Sequence, residues 1–150
     1  MRFAQIQHGL GIKGSYYFRA VPKSWNEEII NEISSLGHEV GYHYENMDTC
    51  RGDVDKAWDD FRYHLDKLRK LTDVKTGCMH GSPRSEFDNK EIWKKYDYKS
   101  LGLAAEKANL PSKIMFTVHP QRWHNNNLLW AKELLLQNLK NIVKRLFFVK

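Results

Sequence analysis

The sequence predicts an α/β protein built on a parallel sheet, and two observations predict it. Leu10-Gly11 and Leu36-Gly37 occupy equivalent places, each closing a helical stretch just before a strand-like one. Glycine is a common helix stop, and a repeated helix–glycine–strand unit argues for parallel strands. Three strand-like segments end in histidine, at His43, His80 and His119. The C-terminal ends of parallel strands are where α/β enzymes gather their chemistry.

Each element follows in order. Phe3, Ile6 and Leu10 have helical spacing, with Gly11 as the stop. Residues 15–20 read as a strand. Ser24 and Glu27 form a capping-box pair that opens a second helix, with Ile29, Ile30, Ile33 and Leu36 on its inner face. Gly37 ends it, and the strand to His43 begins. A third helix spans 53–71, with Val54, Trp58, Phe61, Leu65 and Leu68 along one side. A strand over 75–80 leads into the polar loop Gly81-Ser82-Pro83-Arg84. One or two helical turns are expected over 89–96, part of 101–111 is assigned to helix, and 113–118 is a strongly apolar strand. Residues 127–147 form a long amphipathic helix with Leu128, Leu135, Leu139, Ile142 and Leu146 inward. Only four strands are clear, too few to close a barrel of about eight.

At 150 residues the chain is read as one domain, 1–150, and its 41% hydrophobic content supports a packed core rather than disorder. No apolar run approaches the roughly 20 residues that span a bilayer, and the N-terminus lacks the apolar core of a signal peptide, so cytoplasmic residence is expected. Cys50 and Cys78 have no Cys-x-x-Cys partner and are expected as free thiols, Cys78 as a buried strand residue. The net charge of +6 favours nonspecific attraction to polyanions. The basic residues are spread along the chain, however; Lys132, Lys140, Lys144 and Arg145 read as a solvated helix face, and no specific nucleic-acid motif is present.

The candidate chemistry sits at the strand ends. His43 and Glu45 close the second strand, and a histidine with a carboxylate at such a position suits metal ligation and base work; the plainer reading is a hydrogen-bonded imidazole and a solvated loop carboxylate. His80 precedes a Gly-Ser-Pro turn that would shape an anion pocket. His119 is held extended by Pro120. His38 opens its strand and is read as structural. His8, His64 and His124 are background, and Trp58 and Phe61 are core.

Gly37-His38-Glu39-Val40-Gly41-Tyr42-His43 resembles the second conserved segment of the NodB-type polysaccharide deacetylases, carbohydrate esterase family 4. Gly14-Ser15-Tyr16-Tyr17-Phe18-Arg19, His80-Gly81-Ser82-Pro83 and His119-Pro120-Gln121-Arg122-Trp123 resemble stretches of a divergent bacterial branch of that superfamily. The resemblance implies an incomplete or distorted (β/α) barrel with a divalent metal, usually zinc, at its strand ends. It implies metal-dependent removal of acetyl groups from an acetylated sugar, as a polysaccharide or its precursor. On the matching positions His43 is a metal ligand, with His80 at a suitable strand end beside it. His119 would be the general acid, and Trp123 would shape the sugar pocket. Beside the resemblance, Glu45 is a candidate catalytic carboxylate, and Tyr42 and Arg84 are candidate substrate contacts, with a plain surface residue the alternative for Arg84.

The sequence also departs from the family. The Asp pair of the family's first segment is absent, as though the chain began after the first strand, and it looks shortened around 104–110. Met47 stands where a second histidine is common; Glu45 or Asp48 would substitute. An incomplete sheet would expose edges and invite a homodimer. Two other readings stand beside the hydrolase: a non-catalytic carbohydrate-binding remnant of the same fold, and a basic nucleic-acid-associated module.

Overall fold

The computed structural model describes residues 1–81, 85–106 and 126–147. They fall into two compact units, 1–81 with 85–106 and, separately, 126–147. The first unit is a parallel sheet in the order β1-β2-β3-β4, comprising β1 (Ser15–Phe18), β2 (Glu39–Tyr44), β3 (Thr76–Met79) and the two-residue β4 (Ala105–Glu106). Every neighbouring pair is parallel, with Tyr17 opposite Gly41 and His43 opposite Cys78. The mixed α/β, parallel architecture is therefore as the sequence predicts. Among the described residues the sheet is open rather than a closed barrel.

Helices α1 (Arg2–Gly9), α2 (Glu27–Ser35), α3 (Asn46–Thr49), α4 (Val54–Arg69) and α5 (Ile92–Lys95) belong to the same unit. Side chains alternate across a strand, so Val40, Tyr42 and Tyr44 of β2 leave on one face. They pack with Ile30 and Ile33 of α2 and Phe61, Leu65 and Leu68 of α4 in one core. Phe61 meets Tyr42 and Tyr44 with ring centroids 5.1 and 5.3 Å apart. Fully burying such a side chain stabilises by about 1.5–3 kcal/mol. A smaller cluster of Met47, Ala57 and Ile92 lies beneath α3 and α5.

Several local expectations are revised. In α1 the buried residue is Ala4, while Ile6 and Leu10 are exposed. The small residue lets the helix backbone approach His38, whose Nε2–H donates to the Ala4 carbonyl at 2.9 Å. Helix α2 is capped by Asn26 rather than by a Ser24–Glu27 box: Asn26 Oδ1 accepts from the Ile29 N–H at 2.9 Å, and the Glu27 carboxylate accepts from the Trp25 indole N–H. Asp53 caps α4 by accepting from the Lys56 N–H at 3.1 Å. Of 101–111, Leu101 closes a 3-10 turn and Ala105–Glu106 form β4, and 107–111 lie outside the described residues. Gly102 at φ +69° ends the 3-10 turn Tyr98–Leu101, and the Ala104 N–H donates to the Lys75 carbonyl beside β3. The expected strand 113–118 lies outside the described residues.

The described part of the second unit is one helix, α6 (Asn127–Phe147), with the predicted bounds. Its Leu128, Leu135, Leu139, Ile142 and Leu146 are 56–82% exposed rather than inward.

Candidate functional site

The face of the sheet opposite α2 and α4 is polar. Ser15 and Tyr17 of β1, Glu39 of β2 and Thr76 of β3 hydrogen-bond across it: Thr76 Oγ1–H donates to Glu39 Oε1 at 2.5 Å, the Tyr17 and Thr76 hydroxyls pair at 3.1 Å, and the Ser15 hydroxyl donates to Glu39. Gly41 makes room on this face. A Cβ there would collide with the Tyr17 ring and lie 3.0 Å from the Thr76 carbonyl oxygen. The same alternation carries His43 and then Glu45 to the C-terminal end of β2, next to His80 at the exit of β3.

There the two imidazoles meet edge to face, with ring centroids 5.0 Å apart. His43 Nδ1 lies 3.0 Å from the Cys78 carbonyl, which can only accept, so Nδ1 carries the proton. In the neutral ring Nε2 is then an acceptor. It lies 3.1 Å from His80 Nδ1, which must donate to it. The remaining nitrogen, His80 Nε2, faces Glu45 Oε2 at 3.8 Å. Behind it the Arg19 guanidinium clamps Glu45 through both oxygens, at 3.2 and 2.6 Å. Burial holds His43 below the ordinary imidazole value of 6.5, with His80 and Arg19 acting the same way. Burial, then Arg19, likewise depresses His80. Both rings are therefore neutral at pH 7, and two such nitrogens suit a divalent cation.

Further hydrogen bonds back the His80 side of this pair. Asn89, 2% exposed, accepts from the Met47 N–H at 2.9 Å and donates to Asp48 Oδ2 and the His80 carbonyl, each at 3.1 Å. Asp48 also accepts from the Ser85 hydroxyl. A groove of about 410 Å³ opens elsewhere, lined by Ala20, Val21, Pro22, Trp25, His64 and Lys67. None of the strand-end residues lines it, so the groove and the imidazole pair are separate features.

Of the residues named from sequence, His43, Glu45 and His80 are brought together. Tyr42 is not with them: at 2% exposure it is sealed in the core, its hydroxyl donating to Asn46 Oδ1 at 3.3 Å. The period of two sends it to the helix side, away from any sugar. Met47 is likewise buried. Arg84, His119 and Trp123 lie outside the described residues. Sequence reasoning passes over Arg19 and Asn89. The alternation of β1 could have found Arg19, which continues the Ser15, Tyr17 face, whereas Asn89 carries no local signal beyond that of a turn residue.

Among the described residues no three His, Cys, Asp or Glu side chains are grouped to hold a metal ion, and no helix is long and apolar enough to cross a membrane. No family model, curated protein or solved structure matches the chain.

Proposed function

We propose that this chain is a metal-dependent, deacetylase-like hydrolase of acetylated sugars on an incomplete barrel of the polysaccharide deacetylase type. One observation carries the reading: His43 Nε2 and His80 Nδ1 converge to 3.1 Å at the C-terminal ends of adjacent parallel strands. Two nitrogens on one tetrahedral zinc stand about 3.3 Å apart, so the pair fits as two ligands of a single ion. The outer nitrogens fit as well, since ligating histidines characteristically donate their other N–H to a carbonyl or carboxylate. His43 has the Cys78 carbonyl for this role, and the Glu45 carboxylate lies 3.8 Å from His80 Nε2, near enough to take it up with a small shift of the ring.

A divalent ion held there would polarise an acetyl carbonyl and activate a water. Around it, His80 would carry its proton on Nε2, toward Glu45. Because Arg19 occupies both oxygens of Glu45, that carboxylate serves better to orient His80 than as the free base the sequence suggests. In this reading His119 supplies the proton to the leaving group, and Trp123 and Arg84 contact the sugar.

The test is zinc binding by equilibrium dialysis beside His43→Ala and His80→Ala. Near-stoichiometric zinc, weakened at least tenfold in each variant, is the expected result. Zinc binding that neither substitution alters would overturn the metal assignment. Glycan binding that persists in chelator, with no zinc bound, would favour the non-catalytic sugar-binding reading instead.

A further inference from the structure

Asn89 is buried at the start of the 3-10 turn Asn89–Glu91, yet the turn does not need its side chain. Asp88 caps that turn, its Oδ1 accepting from the Lys90 N–H at 3.0 Å. The Asn89 amide is turned inward instead. Its oxygen must be the atom facing Met47, because the Met47 N–H can only donate. Its nitrogen then supplies hydrogens to Asp48 Oδ2 and the His80 carbonyl. Met47 and Asp48 belong to the α3 turn directly after Glu45, and His80 directly follows β3. The His80 N–H is already fixed to the Tyr44 carbonyl at 2.7 Å. Its peptide frame is thus held on one side by the sheet and on the other by Asn89.

We infer that Asn89 is a positioning residue: through the His80 carbonyl and the α3 turn it sets the His80 ring against His43 Nε2 and Glu45. An N–H···N hydrogen bond of 3.1 Å is already near the long end of good geometry, so a shift of a few tenths of an ångström in residue 80 would weaken it. The groups that face the His80 ring are His43, Glu45, Arg19 and Asp48. None of them holds its backbone in the way Asn89 does. The inference deepens the proposed function and rests on that reading only where metal affinity is measured.

Its test uses the tautomer of His80, which a merely structural residue would not alter. The hydrogen-bond chain requires His80 to carry its proton on Nδ1 in the metal-free neutral protein, the less common form of a free imidazole. Long-range nitrogen–proton NMR on the full chain at about pH 8, above the ordinary imidazole pKa, reads this directly. Asn89→Asp keeps the acceptor for Met47 and removes the donor to His80. Since a buried carboxylate beside Asp48 endangers folding, the exchange Asp48→Asn with Asn89→Asp is made beside it. That exchange restores the 48–89 bond and the charge, and cuts only the bond to His80. Ile33→Val, a core change in α2, controls for lost stability.

The expected result is Nδ1–H at His80 in the wild type and in Ile33→Val, and its loss to a mixture or to Nε2–H in the exchange variant. Zinc affinity should fall about tenfold in that variant, because the displaced ring no longer brings its Nδ1 to an ion held on His43 Nε2. An unchanged tautomer in the exchange variant, or a wild type without Nδ1–H at His80, would overturn the inference. Zinc failing to bind the wild type would remove the proposed function while leaving the tautomer comparison to decide Asn89.

Discussion

His43 and His38 show how the same residue type does opposite work within one strand region. His43 is held below 6.5 chiefly by burial, so its folded form resists the proton that its unfolded form accepts. Above pH 6.5 both states are neutral and the site costs nothing. As the pH falls through 6.5 the unfolded chain takes up more protons than the folded one, so stability drops until the depressed folded value is passed. His80 is shifted the same way and adds to the effect. The urea midpoint of the metal-free protein should therefore fall between about pH 7.5 and about pH 5, and His43→Gln should flatten that dependence. Equal slopes in the two proteins would mean that His43 is not held neutral by its surroundings. His38 is structural, in agreement with its place at the strand entrance. At 6% exposure it accepts the Gly14 N–H on Nδ1 at 3.1 Å and donates from Nε2 to Ala4, tying α1 to the start of β2. His38→Ala strands both backbone groups and should cost about 1–3 kcal/mol, read from the same urea curves.

At the scale of the element, β2 is built around Gly41. No positive φ requires a glycine there; the requirement is space, because Tyr17 of β1 lies across the position and the Thr76 carbonyl closes the other side. Gly41→Ala is expected to destabilise by about 1–3 kcal/mol through overpacking. In a Tyr17→Ala background much of that cost should vanish, which a double-mutant cycle measures directly. Additive losses would show that Tyr17 is not what excludes the side chain. The elements also divide by how legible they are in sequence. Helix α4 and strand β2 are plain because their periods of 3.6 and 2 set Phe61, Leu65 and Leu68, and Val40, Tyr42 and Tyr44, against each other. Helix α1 misleads because its buried contact is made by Ala4 with the His38 ring, while Ile6 and Leu10 of the apolar spacing stay exposed. His43 and His80 are visible from the chain alone, since alternation fixes their face. Arg19 and Asn89 complete the cluster only through residues 26 and 42 positions away, on Glu45 and Met47, and no local pattern encodes that distance.

At the scale of the whole first unit, site and core are two faces of the same strand. Tyr42 and Tyr44 bury themselves against Phe61, and the intervening His43 is thereby aimed at His80. Any opening that releases His43 must therefore break the core. Amide exchange tests this coupling, because residues that open in one event share one free energy. Phe61→Leu keeps an apolar side chain and trims the contacts with both tyrosines and with Trp93, whose ring centroid lies 5.0 Å from that of Phe61. In that variant the amides of Tyr42, His43 and Tyr44 on β2 and of Leu65 and Leu68 on α4 should all exchange faster by a common factor. Acceleration confined to α4, with β2 unchanged, would mean that the helix detaches without disturbing the strand. The geometry of the imidazole pair would then owe nothing to the packing beneath it, and β2 would be held in place by its hydrogen bonds to β1 and β3 alone.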